Sequence, residues 1–270
     1  MINRPFRLPQ HVLTVTALTI AIAISGCQKT PDANEAQRDT GTQDSNKNTS
    51  QPSDTQLSQT TSTTNLAEQQ APLTILALGD SLTEGLGVDN NANYPAQLEA
   101  RLQELGYKDI KVINSGLSGE TSTGLVNRLD WVLQTKPDVT ILTIGANDAI
   151  RGIDVATVEA NIRTAVKRLQ DNDSVVILGG MQIYDNLGSD YVKSFAAIYP
   201  RVAKDLNVTL IPFFLDGVGG DPKLNQADAI HPTKEGYTLI VNNNILPILQ
   251  PELKKINPLN VTNTPTETAQ

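Results

Sequence analysis

One histidine of the chain, His231, has an acidic residue at a spacing that suits acid–base chemistry. Asp228 lies three residues before it, within the segment Asp228–Pro232. An aspartate at this spacing can accept the ring Nδ1–H and fix the tautomer, so that Nε2 is free to take a proton from a hydroxyl group. A single histidine is more often structural. However, the other histidine, His11, lies in an N-terminal segment predicted below to be removed. These observations favour a general base at His231 that is oriented by Asp228.

A serine suited to this base lies directly after an apolar run, in the segment Gly79–Leu82. Gly79 permits a tight exit from a strand. Ser81 would then present its hydroxyl at the start of a turn, where free backbone N–H groups favour a developing negative charge. Asp80 and Ser81 are also good helix N-caps, so this segment alone leaves a purely structural role open.

Two further loops carry groups that can donate hydrogen bonds to an oxyanion. Gly119 lies in a loop whose glycines let the backbone approach a ligand closely, and its N–H is a candidate donor. Asn147 follows the apolar run Val139–Ile144 and carries a side-chain NH₂ group. An ordinary capped turn at Gly119, and loop shaping by Asn147 and Asp148 through Asx-type bonds, remain the alternatives.

Five apolar runs position these segments. They are rich in Val, Ile and Leu and do not alternate with polar residues, which is typical of parallel strands covered on both faces. The runs are Leu73–Leu78, Ile110–Ile113, Val139–Ile144, Val175–Leu178 and Val208–Phe213.

The segments between the runs have apolar residues at helical spacing. One stripe consists of Val158, Ile162, Val166 and Leu169. We also predict helices over Ser189–Leu206 and Thr233–Leu249. Pro232 is expected at the first position of the last helix, and Pro247 is expected to end or kink it.

The alternation of strands and helices predicts an α/β fold, a doubly wound (flavodoxin-like) five-stranded parallel sheet with helices on both faces. In such sheets ligands bind at the carboxyl ends of the strands. The segments with Ser81, Gly119 and Asn147 follow the first three strands, and His231 precedes the last helix. We therefore expect the four segments to meet in one crevice.

In this order the four segments resemble the sequence blocks of the SGNH (GDSL) hydrolase family. The wider pattern resembles its branch of multifunctional acyl-CoA thioesterases, lysophospholipases and arylesterases, over Leu73–Leu249. The first block has Thr83 where Ser is commoner. The matching blocks are Gly79–Leu82, Ser118–Ser122, Gly145–Asp148 and Asp228–Pro232.

The resemblance implies an acyl-enzyme mechanism with neither a metal nor a cofactor. Ser81 is expected to be the nucleophile, His231 the base and then the acid, and Asp228 the residue that orients His231. The resemblance also implies an oxyanion hole made of the Ser81 N–H, the Gly119 N–H and the Asn147 side chain.

The resemblance implies a small ester or lipid substrate: a lysophospholipid, a fatty-acyl or aryl ester, or a thioester. Apolar residues after the second and fourth strands are candidates for a wall that binds the acyl chain: Leu117, Met181, Ile183 and Tyr184. Simple loop packing is the alternative for these four. Two other functions stay open, namely a polysaccharide or cell-wall O-deacetylase and a non-enzymatic surface lipoprotein. The low aromatic content of 4% counts against sugar stacking.

The N-terminus has the pattern of a secretion signal. Arg4 and Arg7 precede an apolar run, Val12–Ile24, of the length of a signal h-region. The run ends in Ile-Ser-Gly before Cys27, which resembles the lipobox of bacterial lipoproteins. An ordinary signal peptide with a chance cysteine is the alternative. Gln28, which is not Asp, favours the outer membrane, so we expect a lipid-anchored protein of the cell envelope that faces the periplasm.

We accordingly divide the chain into a signal peptide (1–26), a lipidated Cys27 with a disordered tether (27–72), a hydrolase domain (73–256) and a disordered tail (257–270). The segment Gln28–Gln70 contains no Val, Ile, Met, Phe, Tyr or Trp and cannot form a core. Cys27 is the single cysteine, which excludes an intramolecular disulfide and a Cys-based zinc site. The net charge of −8 makes nucleic acid an unsuitable partner. A membrane, bound through Cys27, is the other expected partner.

Overall fold

The computed structural model of the protein describes residues 72–184 and 188–256. Within these residues, five parallel strands form one sheet in the order β2-β1-β3-β4-β5. This is the flavodoxin-like order, and it confirms the predicted fold class. The strands are β1 (Leu73–Gly79), β2 (Ile110–Gly116), β3 (Val139–Thr143), β4 (Val175–Gly179) and β5 (Thr209–Ile211).

The helices follow the strands in the predicted alternation. They are α1 (Ser81–Glu84), α2 (Tyr94–Glu104), α3 (Ser122–Val132), α4 (Ala146–Ile150), α5 (Val155–Gln170), α6 (Ser189–Ala196), α7 (Ile198–Leu206), α8 (Lys234–Leu239) and α9 (Leu246–Ile256). A short 3₁₀ turn (Leu133–Thr135) follows α3, and a π-helical segment (Ile240–Ile245) joins α8 to α9.

The core lies on both faces of the sheet. Every residue of β3 is buried, and since successive side chains of a strand point to opposite faces, both faces are covered. Helix α5 packs against α3 and α7, and α2 packs against α8 and the π-helical segment. The predicted apolar stripe of α5 is fully buried.

The strand bounds differ from the predicted runs where polar residues or a proline intervene. Strand β2 continues through Asn114 and Ser115 to Gly116, because its backbone pairs with β1 irrespective of side-chain polarity. Strand β5 ends at Ile211 and not at Phe213, since Pro212 has no N–H for the ladder.

The predicted helix over Ser189–Leu206 is two helices, α6 and α7, that meet at Ala197. Pro200 explains the break, because its ring would clash with the carbonyl of Ala196 in a continuous helix. At the third position of α7 its missing N–H costs nothing, since the first four N–H groups of a helix have no partner within it.

The last helical region also departs from the expectation. Helix α8 begins at Lys234, and its N-cap is Thr233, so Pro232 precedes the helix and does not open it. Pro247 does not end the helix, because α9 continues to Ile256. The hydrogen bonds of the π-helical segment span five residues, and this wider turn accommodates the Pro247 ring at the second position of α9.

The predicted signal peptide, Cys27, the tether up to residue 71 and the tail 257–270 lie outside the described residues. Among the helices that are described, none combines the length and the apolar character needed to cross a membrane.

Candidate active site

The turn after β1 places Ser81 at the first position of α1. Asp80 is the N-cap of this helix, and its Oδ1 accepts the Leu82 N–H at 3.0 Å. A side chain at Gly79 would bring a Cβ to 2.3 Å from the Thr143 carbonyl oxygen, so only glycine fits this strand exit. Asp80 therefore provides the cap, and the Ser81 hydroxyl is free for another partner. In the described part of the chain, the Ser81 N–H has no hydrogen-bond acceptor.

Ser81, His231 and Asp228 form a continuous series of hydrogen bonds. The His231 Nδ1–H donates to Asp228 Oδ2 at 2.6 Å, and the Ser81 hydroxyl donates to His231 Nε2 at 2.8 Å. The carboxylate can only accept from Nδ1, so Nε2 is left as the acceptor for the serine proton. The second carboxylate oxygen, Asp228 Oδ1, accepts the backbone N–H groups of Ile230 and His231 at 2.9 and 3.0 Å.

The two aspartates of the site have pKa values that move in opposite directions. Burial raises the pKa of Asp80 to about 6, and the backbone hydrogen bond from Leu82 only partly offsets this. Partial burial opposes the charge of Asp228 too. However, the hydrogen bonds from the His231 ring and from two backbone N–H groups lower its pKa to about 2. Asp228 is therefore an anion at neutral pH, as a residue that orients and stabilises a protonated imidazole must be.

Three candidate donors for an oxyanion come from the loops after adjacent strands. Since β1 lies between β2 and β3, the loops with Gly119 and Asn147 lie on either side of the Ser81 turn. Gly119 has a left-handed φ of +76°, which glycine adopts without strain. Among the described residues, the Gly119 N–H and the half-buried Asn147 side-chain NH₂ make no hydrogen bond, like the Ser81 N–H. All three donors are available for a ligand.

An apolar cavity of about 440 Å³ lies beside the hydrogen-bonded series. Leu82 and Ile230, the neighbours of Ser81 and His231, contribute to its wall. Three of the four residues predicted for an acyl-binding wall line it: Met181, Ile183 and Tyr184.

Leu117, the fourth residue predicted for this wall, is not part of the cavity lining, and its side chain is 52% exposed, so its contact with a substrate stays a prediction. Leu117 follows β2, the strand at the edge of the sheet, whereas much of the cavity wall follows β3, β4 and β5. The strand order therefore places Leu117 on the other side of the Ser81 turn.

The segment that contains these residues matches a known protein family. Residues 77–239 match the GDSL-like Lipase/Acylhydrolase family. The chain belongs to this family. The match confirms the predicted family and the prediction of an ester hydrolase. Within the described residues of this GDSL-like hydrolase, no group of three or more His, Cys, Asp or Glu side chains is arranged to hold a metal ion.

Relatives of this hydrolase include enzymes that the chain covers over most of their length. Esterase TesA of Pseudomonas aeruginosa is 36% identical over 189 residues, which are 70% of this chain and 93% of that protein. The thioesterase 1/protease 1/lysophospholipase L1 of Escherichia coli is 32% identical over 170 residues, which are 63% of this chain and 80% of that protein. A crystal structure of TesA matches with a TM-score of 0.63 and covers 66% of this chain and 98% of that chain.

The residues that hold the loops of the hydrolase site in place have no recognisable pattern in the sequence. Thr83 Oγ1 and Thr143 Oγ1 share a buried hydrogen bond of 2.7 Å between the Ser81 turn and β3. Asp148, for which the sequence indicates only local loop shaping, accepts both the N–H and the hydroxyl of Ser122, at 2.8 and 2.7 Å. These partners are 60 and 26 residues apart in the chain, and no local sequence pattern indicates such pairs.

Proposed function

We propose that this GDSL-like hydrolase cleaves carboxylic esters through an acyl-Ser81 intermediate, with His231 as base and Asp228 as the residue that orients it. The observation that carries the proposal is the continuous hydrogen bonding from Asp228 through His231 to the Ser81 hydroxyl, at 2.6 and 2.8 Å. A serine whose hydroxyl donates to an imidazole nitrogen is an activated nucleophile.

The reaction that these positions support has two stages, acylation of Ser81 and hydrolysis of the acyl-enzyme. His231 Nε2 takes the Ser81 proton as Ser81 Oγ bonds to the carbonyl carbon, and the oxyanion accepts hydrogen bonds from Ser81 N–H, Gly119 N–H and Asn147. The intermediate then expels the alcohol, which leaves with the proton from His231. Water, deprotonated by His231, attacks the acyl-Ser81 ester, and the proton returns to Ser81 as the acid is released.

The apolar cavity supports an acyl substrate. Its wall includes Met181, Ile183 and Phe213, which suit a fatty-acyl or aryl group better than a sugar ring. We propose lysophospholipids, fatty-acyl esters and aryl esters as the substrate class, with thioesters cleaved by the same chemistry. The same apolar wall argues against a polysaccharide O-deacetylase.

We further propose that the hydrolase is secreted and anchored at Cys27 in the outer membrane, facing the periplasm. Support comes from the apolar run Val12–Ile24 and the lipobox-like residues before Cys27. Since acyl-CoA is a cytoplasmic compound, an enzyme in this location takes its substrates from lipids or other esters. Cys27→Ser is expected to release the protein from the membrane fraction; unchanged processing and membrane association would contradict the anchor.

A fluorophosphonate probe tests the nucleophile. The wild type is expected to react with one equivalent of the probe and Ser81→Ala with none, while Ser189→Ala, at an exposed serine, reacts like the wild type. Labelling of Ser81→Ala would overturn the assignment.

The substrate class is tested with p-nitrophenyl esters of graded length, a lysophospholipid and an acetylated xylan. Activity on the xylan alone would exclude the acyl-lipid substrates.

A further inference from the structure

Arg128, on α3, makes hydrogen bonds to both loops that supply the backbone oxyanion donors. Its Nη1 donates to Ser115 Oγ at 2.7 Å, and its Nη2 donates to the Ser115 carbonyl oxygen at 2.8 Å. Nη2 also lies 3.3 Å from the Gly79 carbonyl oxygen, at the strand exit that precedes Asp80 and Ser81. One guanidinium group thus contacts the carboxyl ends of β1 and β2.

The same guanidinium group is paired with Glu120, the residue after Gly119. Arg128 Nε and Nη2 donate to the two Glu120 carboxylate oxygens, each at 2.6 Å. The Glu120 side chain is 3% exposed and that of Arg128 is 18% exposed, so the pair is largely removed from water. A bidentate pair fixes direction as well as distance, which a lysine ammonium group cannot do.

The position of this pair indicates a role beyond stability. Replacing a buried ion pair by apolar residues of similar volume is often neutral for stability, so stability alone is a weak reason for it. Gly119 has a left-handed conformation, and residues on both sides of it are held in place. The Leu117 N–H donates to the Gly79 carbonyl oxygen at 3.0 Å, and Glu120 is paired with Arg128. These contacts restrict the direction of the Gly119 N–H. The pair therefore helps to set the distance between the Ser81 turn and the Gly119 loop, together with the Ser118 N–H, which donates to Glu84 at 2.7 Å.

We propose that Arg128, through Glu120, is a positioning residue for the oxyanion hole and aligns the Gly119 N–H with the Ser81 N–H. The proposal rests on the proposed function, because it presumes that these two N–H groups stabilise the oxyanion. Arg128 itself does not touch the substrate. Its effect is on the transition state and not on binding of the acyl group in the cavity.

The test compares a single variant, a double variant and a remote control on a p-nitrophenyl ester. We expect Arg128→Met to lower kcat by about 10- to 100-fold with little change in KM, because misplacing reacting groups by 1 Å can cost about 10²-fold. The affinity for a trifluoromethyl ketone, which forms a tetrahedral adduct with an oxyanion, is expected to fall in parallel. Arg163→Met, which breaks an ion pair between α5 and α7, serves as the matched control with unchanged kinetics.

The double variant Arg128→Met with Glu120→Leu separates positioning from stability. Removing both charges is expected to restore the melting temperature lost in the single variant but not kcat or the affinity for the ketone. Arg128→Lys keeps the charge without the bidentate geometry and decides the question if Arg128→Met does not fold.

Wild-type kcat and ketone affinity in folded Arg128→Lys or in the double variant would overturn the proposal. A wild-type enzyme inactive on all esters would instead overturn the proposed function.

Discussion

The loops that carry Ser81, Gly119 and Asn147 are held by buried long-range contacts, whereas the loop that carries Asp228 and His231 is held largely by itself. On the first side, Asp80, Thr83, Thr143 and Asp148 have no exposed surface. On the second side, the Asp228 side chain is 44% exposed and Ile230 is 41% exposed. The turn around Asp228 is closed by its own backbone and carboxylate, through the bonds to Ile230 and His231.

This difference follows from what each side must do. Oxyanion donors are effective only if they already point at the developing charge, so that side benefits from rigid, preorganised support. His231 must accept a proton from Ser81 and deliver it to the leaving group. A few tertiary contacts add to the bonds within its loop. In one of them, the Tyr184 hydroxyl donates to the Ala229 carbonyl oxygen at 3.0 Å. Ala229 has a left-handed φ of +60°, which also restricts the loop.

The largest effect on turnover is expected in the more exposed loop, which carries Asp228 and His231. His231→Ala removes the base, and we expect kcat to fall by about 10⁶-fold, the loss typical of removing a member of a serine triad. Because the His231 loop contributes little to the core, the melting temperature is expected to change little. Steady-state kinetics and thermal unfolding of the same preparation check both. A large loss of stability would show that this loop is part of the rigid framework.

The second largest effect is expected for Asn147→Ala, in the loops that are held by buried contacts. It removes one oxyanion donor, so we expect kcat to fall by about 10²–10³-fold. The Asn147 side chain makes no hydrogen bond to the rest of the described structure, so the free energy of unfolding is expected to stay within about 0.5 kcal/mol of the wild type. Asp148→Ala provides the contrast, because it leaves the buried Ser122 N–H without an acceptor and lowers stability. Wild-type turnover in Asn147→Ala would remove this residue from the site.

The pH dependence of stability distinguishes the two aspartates. The pKa of buried Asp80 is raised from 3.8 to about 6, so the folded state holds its proton longer than the unfolded state. The corresponding stability is present below pH ~4 and is lost as the pH rises through about 6, by about 3 kcal/mol in all. Asp228 acts in the opposite direction, with stability present above pH ~4 and lost as the pH falls toward about 2.

Asp80→Asn tests this assignment, because the asparagine keeps an oxygen for the Leu82 N–H but does not titrate. Urea unfolding of both proteins between pH 4 and 7 is the measurement. The stability of Asp80→Asn relative to the wild type is expected to rise by about 2 kcal/mol over this range, which covers most but not all of the titration. Parallel curves for the two proteins would mean that Asp80 has an ordinary pKa.

The smallest effect concerns the contact between the cavity and the His231 loop. Tyr184→Phe removes only the hydrogen bond to Ala229, and we expect a 2- to 10-fold lower kcat, about the value of one hydrogen bond. KM is expected to be unchanged, because the ring still lines the cavity. Tyr191→Phe, which loses a similar bond to Ile153 away from the site, is the control. Equal kinetics in both variants would show that the Asp228 turn needs no support from Tyr184.

The sequence predicted the fold well where the signal is local and repeated. The apolar runs predicted for β1 and β3 agree with the observed strands to within one residue, since a strand covered on both faces must be apolar throughout, and the predicted stripe lies within α5. The errors occur where the backbone overrides side-chain type. Strand β2 pairs through polar residues, and the helical region near Pro247 continues by means of a π turn.

The sequence alone determined the family, the parallel α/β sheet and the types of group at the ends of its strands, because these depend on residue type and on spacing along the chain. Only the tertiary structure decided that Asp80 caps α1 and leaves the Ser81 hydroxyl to His231, that Leu117 does not line the cavity, and that Arg128 joins two loops. These relations depend on strand order and on contacts between residues far apart in the chain. Such contacts form only when the loops are brought to the same edge of the sheet.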